Sequence, residues 1–268
     1  MSLAPLQPSV TTLGARLASA PPPQPLSTPS PVINQLLTPL LTAPCLLEIF
    51  GAPSSARTSL SLSLAASALS QGSSVIYADA DGGLIPARVR TVVASAVGDA
   101  AAVDAALARW RAVRICSWTD LAAGLVHVLP DLAEHMPRLA LVVVDSFAVP
   151  FRAAQMDRPH QRLEAFAARM ADLAMRLRIV VVLVNCARPV SAAGEACPYS
   201  ARVLRGAGLA GGGDAWAHVC PERVALGWED GHHVAWVVKS ARVPCGEARF
   251  RVTEAGVADA EEEGEGEE

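Results

Sequence analysis

The sequence predicts an α/β fold, with a mostly parallel central sheet flanked by helices and finished by C-terminal antiparallel hairpins. Three observations carry that expectation. The apolar runs LLEIF (46–50), LALVVVDS (139–146) and IVVVLVN (179–185) are continuous rather than alternating, the mark of strands covered on both faces. Helix-length segments separate the first part's strands, as crossovers between parallel strands require. The last part then changes to shorter runs around Asp230-Gly231, a hairpin-turn signal.

Taken in order, residues 1–31 are rich in Pro, Ser and Ala and predict a disordered or extended arm. A short apolar helix, VINQLLTPLL, opens the core, expected to span 32–257. LLEIF forms a buried strand, GAPSSARTS (51–59) a turn, and SLSLSLAASALS a helix whose small residues allow close packing on a sheet. SSVIYADAD (73–81) is the second strand, and GGLIPARVRTVVASAV turns into a helix with Pro86 in its first turn. An Ala-rich helix over 99–110 precedes a strand at 112–118, and Thr119 or Asp120 caps the next helix. LALVVVDS ends in Asp145. Residues 158–178 place Leu163, Phe166, Met170, Leu173 and Leu177 on one helical face, ahead of IVVVLVN. From 186 to 214 the periodicity dissolves into Gly, Ala, Pro and Arg, a length expected of a functional or mobile loop. AWAHV, RVALGWED–GHHVAWVVKS and EARFRVTEAGV read as antiparallel strands, and 258–268 as an acidic disordered tail.

Bulk composition narrows the function classes. With 268 residues, 51% of them hydrophobic, the chain is long enough for one large α/β domain. No apolar run approaches the roughly 18 residues of a membrane helix, so no membrane partner is expected. The net charge of −4 hides an asymmetry: eight acidic residues lie from Glu254 onward, leaving 22 basic against 18 acidic before them. A mildly basic body permits nucleic-acid contact. The six cysteines show no paired spacing and read as reduced and structural in an intracellular protein. Among 22 basic residues, Lys239 is the one lysine, a bias that places Arg wherever charge alone matters.

LLEIFGAPSSARTSLSL is the main chemical signal. A phosphate loop reads G-x-x-x-x-G-K-T/S between strand and helix; its N–H groups cradle phosphates, its Lys reaches them, and its Thr or Ser meets Mg2+. Gly51 and Thr58 stand in register, but Ala56 replaces the second Gly and Arg57 the Lys. Alanine at a position needing positive φ costs about 1 kcal/mol or more. The wide guanidinium does not fit the pocket of a compact ammonium. Asp145, ending a central strand, is the candidate Mg2+-side carboxylate. Asn185, ending the neighbouring strand, is the candidate sensor of the terminal phosphate.

With these motifs in order, the chain resembles the eukaryotic recombinase paralogues of the RecA family. The matching segments are LLEIFGAPSSARTSLSLSLA, VIYADADGGLIPARV, LALVVVDSFAVPFR, RIVVVLVN, GLAGGGDAWAHV and WVVKSARVP. YADADGGL and VVKSARVP are most similar to the D-type paralogue, DSFAVPFR to the C-type. The resemblance implies a RecA-like core and a degenerate site for ATP and Mg2+. It assigns Gly51, Ala52, Pro53, Ser54, Ser55, Ala56, Arg57, Thr58 and Ser59 to the phosphate loop, with Thr58 and Asp145 to the metal. Asp81 matches the position where active recombinases keep a water-activating glutamate, shorter by about 1.5 Å of side chain. Lys239 matches lysines that reach a neighbour's terminal phosphate. Two loops match single-strand-binding loops, one with Phe151, Arg152, Arg158 and His160, the other with Arg188, Tyr199, Arg202 and Arg205. There arginines track phosphates and Tyr199 stacks on a base.

The resulting expectation is a nuclear recombination-mediator subunit for double-strand-break repair. It binds ATP weakly or structurally and contacts single-stranded DNA, other recombinase paralogues and the strand-exchange recombinase. Ala56, Arg57 and Asp81 together argue against vigorous turnover. The alternatives are an active DNA-dependent ATPase and a structural scaffold without nucleotide.

Overall fold

The computed structural model describes residues 24–154, 159–187, 216, 219–229 and 231–260. Nine strands among them form one sheet in the order β3-β2-β4-β5-β1-β6-β7-β8-β9. The six strands from β3 to β6 run parallel, and β6 to β9 return as antiparallel hairpins. The strands are β1 Cys45–Gly51, β2 Ser74–Asp79, β3 Trp110–Arg114, β4 Leu139–Asp145, β5 Val180–Cys186, β6 Glu222–Glu229, β7 His232–Lys239, β8 Glu247–Thr253 and β9 Gly256–Asp259. The predicted α/β architecture is the observed one.

Helices cover both faces. Leu47, Ile49, Val143, Val182 and Leu226 point to the face covered by α1 (Pro31–Leu37), α2 (Arg57–Ser70) and α3 (Pro86–Val97). Leu46, Val142, Val144, Val181 and Leu183 face the other layer, which holds α5 (Trp118–Ala123), α6 (Leu129–His135), α7 (Ala148–Ala153) and α8 (Pro159–Leu177). The five residues read as the apolar face of α8 are all buried there. Few aromatics are present, yet Trp118, Phe147, Phe151, Phe166 and Trp216 pack together in this layer.

Several expectations need correction. Residues 24–30, expected in the arm, are packed: Leu26 is buried and its N–H donates to the Leu41 carbonyl. Ser30 caps α1, because an extended residue with a hydroxyl satisfies the free amide of Ile33. The core also runs past 257, since Asp259 ends β9 and accepts bonds from Ser30 Oγ and the Val32 amide. The Ala-rich stretch 99–110 makes only a short turn and α4 (Val103–Leu107), and β3 starts at Trp110 rather than 112. Trp110 is drawn into the edge strand by stacking on Tyr77 at 5.3 Å. Ser117, not Thr119 or Asp120, caps α5, accepting from the Asp120 amide at 3.0 Å. Of AWAHV, the described Trp216 and Val219 are helical rather than extended, and the Cys220 amide bonds back to the Trp216 carbonyl.

Helix α2 is the hub of the fold. Its buried Ser61 and Ser63 hydroxyls donate to carbonyls four residues back, Arg57 and Ser59, which settles polar groups inside an apolar layer. Ser63 Oγ also accepts the Val257 amide at 3.1 Å, and Ser67 Oγ accepts the Ser27 amide at 3.0 Å. Both ends of the described chain are thus fastened to one helix.

Candidate nucleotide site

The sequence brings a small-residue turn between a buried strand and a helix, and the structure shows why those residues are small. Gly51 ends β1 against β6, where an added Cβ would lie 2.1 Å from the Leu226 carbonyl oxygen. Ser54 and Ala56 both have left-handed backbone, φ 63° and 70°. Ala56 therefore carries the strain expected of it, on the order of 1–2 kcal/mol. It stands at the N-cap of α2 with no side-chain cap, and no acidic residue occupies the first turn. The helix N-terminus is left electropositive and open to an anion.

The residues of the turn converge on β4 and β5. Thr58 Oγ1 donates to Asp145 Oδ2 at 2.8 Å, and Tyr77 Oη donates to the same oxygen at 2.7 Å. Burial raises the Asp145 carboxyl above its ordinary 3.8, opposed by these two hydrogen bonds and by the charge of Arg57; the Asp81 charge acts with burial. Burial and the neighbouring Asp145 push the Tyr77 phenol well above its usual range, so it stays a donor. Arg57 sends Nη1 to the Asn185 carbonyl at 2.6 Å, so the guanidinium grips the strand beside it.

The other sequence candidates fall as follows. Asp81 is exposed beyond β2, tied to β4 through its amide and the Asp145 carbonyl at 3.3 Å. The Asn185 side chain is fully buried and gives Nδ2 to Glu48 Oε1 at 2.6 Å, so its link to the loop is the backbone carbonyl that Arg57 takes. Lys239 is not brought to this loop. It pairs with Arg223, itself opposite Glu48, three residues or about 10 Å down the strands from Gly51. Its Nζ donates to the Cys220 carbonyl at 2.8 Å. Phe151, placed by sequence in a DNA loop, is instead core, 5.7 Å from Trp118. Arg152 falls in α7 and His160 in α8. Arg158, Arg188, Tyr199, Arg202 and Arg205 lie outside the described residues.

Sequence reasoning missed the support beneath the loop. Glu48, fully buried in β1, accepts Arg223 Nε at 2.6 Å as well as Asn185. Arg223 also lies over the Phe50 ring at 4.6 Å. The available signal was the acid in LLEIF, a charge that a buried strand holds only with a partner. Arg88 of α3 reaches Ser59 Oγ at 3.2 Å and braces the first turn of α2 from the side.

The arrangement fits a phosphorylated ligand with a hard cation. The Ser55 hydroxyl is fully buried, and it and Ser146 Oγ have no hydrogen-bond partner among the described residues. Thr58 and Asp145 present oxygen donors, the type Mg2+ takes together with ligand phosphates. No group of three or more His, Cys, Asp or Glu among the described residues would hold a metal without such a ligand. Two features do not match a standard phosphate loop: Ala56 in place of the second Gly, and Arg57, whose Nη1 is held by the Asn185 carbonyl.

The sequence model of the Rad51 family matches residues 24–260, nearly the whole of the chain. The chain belongs to the Rad51 family. It is 27% identical over 149 residues to DNA repair protein RAD51 homolog 3 of Cricetulus griseus, covering 55% of this chain and 38% of that one. It is also 27% identical over 156 residues to DNA repair and recombination protein RadB of Thermoplasma acidophilum, covering 57% and 63%. The homolog 3 protein of Dictyostelium discoideum is 26% identical over 142 residues, covering 51% and 34%. The matched regions thus span less than two thirds of these relatives' own lengths. Kinship to a recombinase paralogue of the Rad51 family agrees with the motif reading, and no helix of the described residues is long and apolar enough to cross a membrane.

Proposed function

We propose that this chain is a recombination-mediator subunit of homologous-recombination repair, acting in the nucleus with other recombinase paralogues and the strand-exchange recombinase. Its 51–59 loop takes ATP with Mg2+ as a weak, mainly structural ligand. Single-stranded DNA is met by Arg152 of α7, by Arg158 and by the arginines of 188–205. The observation that carries the nucleotide part is the bond from Thr58 to Asp145, which joins the loop after β1 to the end of β4, past the intervening β5, inside a Rad51-family chain.

Each residue has a part in this reading. Amides of the turn and the open end of α2 bind phosphate, and the orphaned Ser55 hydroxyl gains a partner. Thr58 and Asp145 hold the cation, which when bound supplies charge neutralisation to the phosphates. Tyr77 positions Asp145 by fixing one of its oxygens. Arg57 offers charge but is anchored on Asn185, and Asp81 is short for a general base; both features favour retention of nucleotide over turnover.

Binding and hydrolysis of radiolabelled ATP, with and without single-stranded DNA, test the proposal. Wild type should bind ATP in a Mg2+-dependent manner with little turnover, and Thr58→Ala should remove the Mg2+ dependence. Turnover that DNA stimulates and Thr58→Ala abolishes would establish an ATPase instead. Absence of binding to both ligands would establish a scaffold. Capture from cells should recover other recombinase paralogues, and recovery of only non-repair proteins would refute the repair role.

A further inference from the structure

The open cavity on the phosphate loop, about 380 Å³, has two chemically different walls. One is the polar turn from Ser54 to Ser59. The other is Trp228 of β6, His233 of β7 and Val252 of β8. The register explains their meeting: β6 runs parallel to β1 with Leu226 beside Gly51, so the next two residues carry β6 past the loop. Across the hairpin Trp228 pairs with His233, which pairs with Phe250.

These rings form a graded stack. Phe250 is fully buried, His233 lies 5.3 Å from it at 28°, and Trp228 lies 3.7 Å from His233. Trp228 keeps 41% of its surface exposed. His233 Nε2 also meets the Ser54 carbonyl at 3.3 Å, which ties the stack to the phosphate loop. Burial lowers the pKa of His233, so the ring stays neutral at pH 7. A neutral imidazole under a half-exposed indole presents an extended π surface.

An occupant that touches both walls carries an anion at one end and a flat ring system at the other. We infer that Trp228 and His233 are the base-stacking shelf of this chain's nucleotide site, taking a purine nucleoside triphosphate. This rests on the reading of 51–59 as the phosphate site. Stacking grows with ring area and is tolerant of exocyclic groups, so the shelf favours purines over pyrimidines and separates adenine from guanine poorly.

The test is titration calorimetry of the full chain with four probes in Mg2+: ATP, GTP, CTP and inorganic tripolyphosphate. Wild type should bind ATP and GTP alike, CTP less well and tripolyphosphate least. Trp228→Ala should weaken ATP by about tenfold and leave tripolyphosphate unchanged. Trp228→Phe, which keeps a ring in the hairpin, should retain most of the ATP affinity, and covers the case in which the alanine variant does not fold. Tripolyphosphate binding with equal ATP affinity in wild type and Trp228→Ala would overturn the shelf alone. If the alanine variant does not fold, ATP binding no tighter than tripolyphosphate in Trp228→Phe would do the same. Failure of wild type to bind tripolyphosphate or any nucleotide would overturn the phosphate site and the shelf with it.

Discussion

Replacing Glu48 by alanine removes the buried acid that joins three strands beneath the phosphate loop. In the native chain Glu48 is fully buried in β1, with Asn185 of β5 and Arg223 of β6 each at 2.6 Å. Arg223 is itself 5% exposed, so the variant leaves a guanidinium in the sheet without this carboxylate. Breaking one side of a buried pair costs about 3–5 kcal/mol, against a total stability of roughly 5–15 kcal/mol for such domains. In a domain of this size that corresponds to a fall in Tm of roughly 6–20 °C. Urea denaturation followed by circular dichroism measures it. The double replacement Glu48→Leu with Arg223→Met is the informative control. It removes both charges at similar volume and should recover part of the loss, since an apolar pair avoids the desolvation of two ions while the buried Asn185 amide still loses its acceptor. A Glu48→Ala cost below about 1 kcal/mol, or a double variant no better than the single, would refute the reasoning.

Two other outcomes follow from local geometry. Gly256→Ala should cost about 2–4 kcal/mol, because φ is +117° and the new Cβ would lie 2.3 Å from Ser63 Oγ. Gly98→Ala, with φ +74° but nothing within 4 Å, should cost only about 1–2 kcal/mol; equal Tm shifts for the two variants would show that the Ser63 contact is not limiting. Burial pushes the Cys45 thiol up to about 12 and Cys220 further still, whereas Cys116 and Cys245 are exposed. Iodoacetamide at pH 8 should therefore alkylate Cys116 and Cys245 in the native chain and reach Cys45 and Cys220 only in denaturant, as read by peptide mass spectrometry.

The parallel strands and the loop were legible because their signals are local. A continuous apolar run, a turn of small residues and a Thr at fixed offset all lie within one stretch of chain, and Thr58 meets Asp145 as that pattern implies. What escaped depends on residues far apart in sequence. Glu48 and Arg223 are separated by 175 positions, and neither alone says which strand the other will join. Tyr77 carries no signal of its own in the sequence; only the register of β2 beside β4 puts its hydroxyl on Asp145. The end of the arm, residues 24–30, was misjudged for a different reason. Its composition is that of an unstructured segment, but Ser27 and Ser30 find partners on α2 and β9, which composition does not record. Asn185 shows a third limit: its position was read correctly, while its amide turned to a buried acid that outcompetes the loop.

The fastening of residues 27 and 257 to α2, with Ser30 bonded to Asp259, makes the described fold nearly circular in topology. A peptide bridge from residue 260 to residue 24 would let the polypeptide be reopened elsewhere, for instance at the uncrowded bend around Gly98, with strand order and core intact. Such a permutant would detach the order of synthesis from the architecture. It would also move the break in the described fold away from the helix that begins at the phosphate loop.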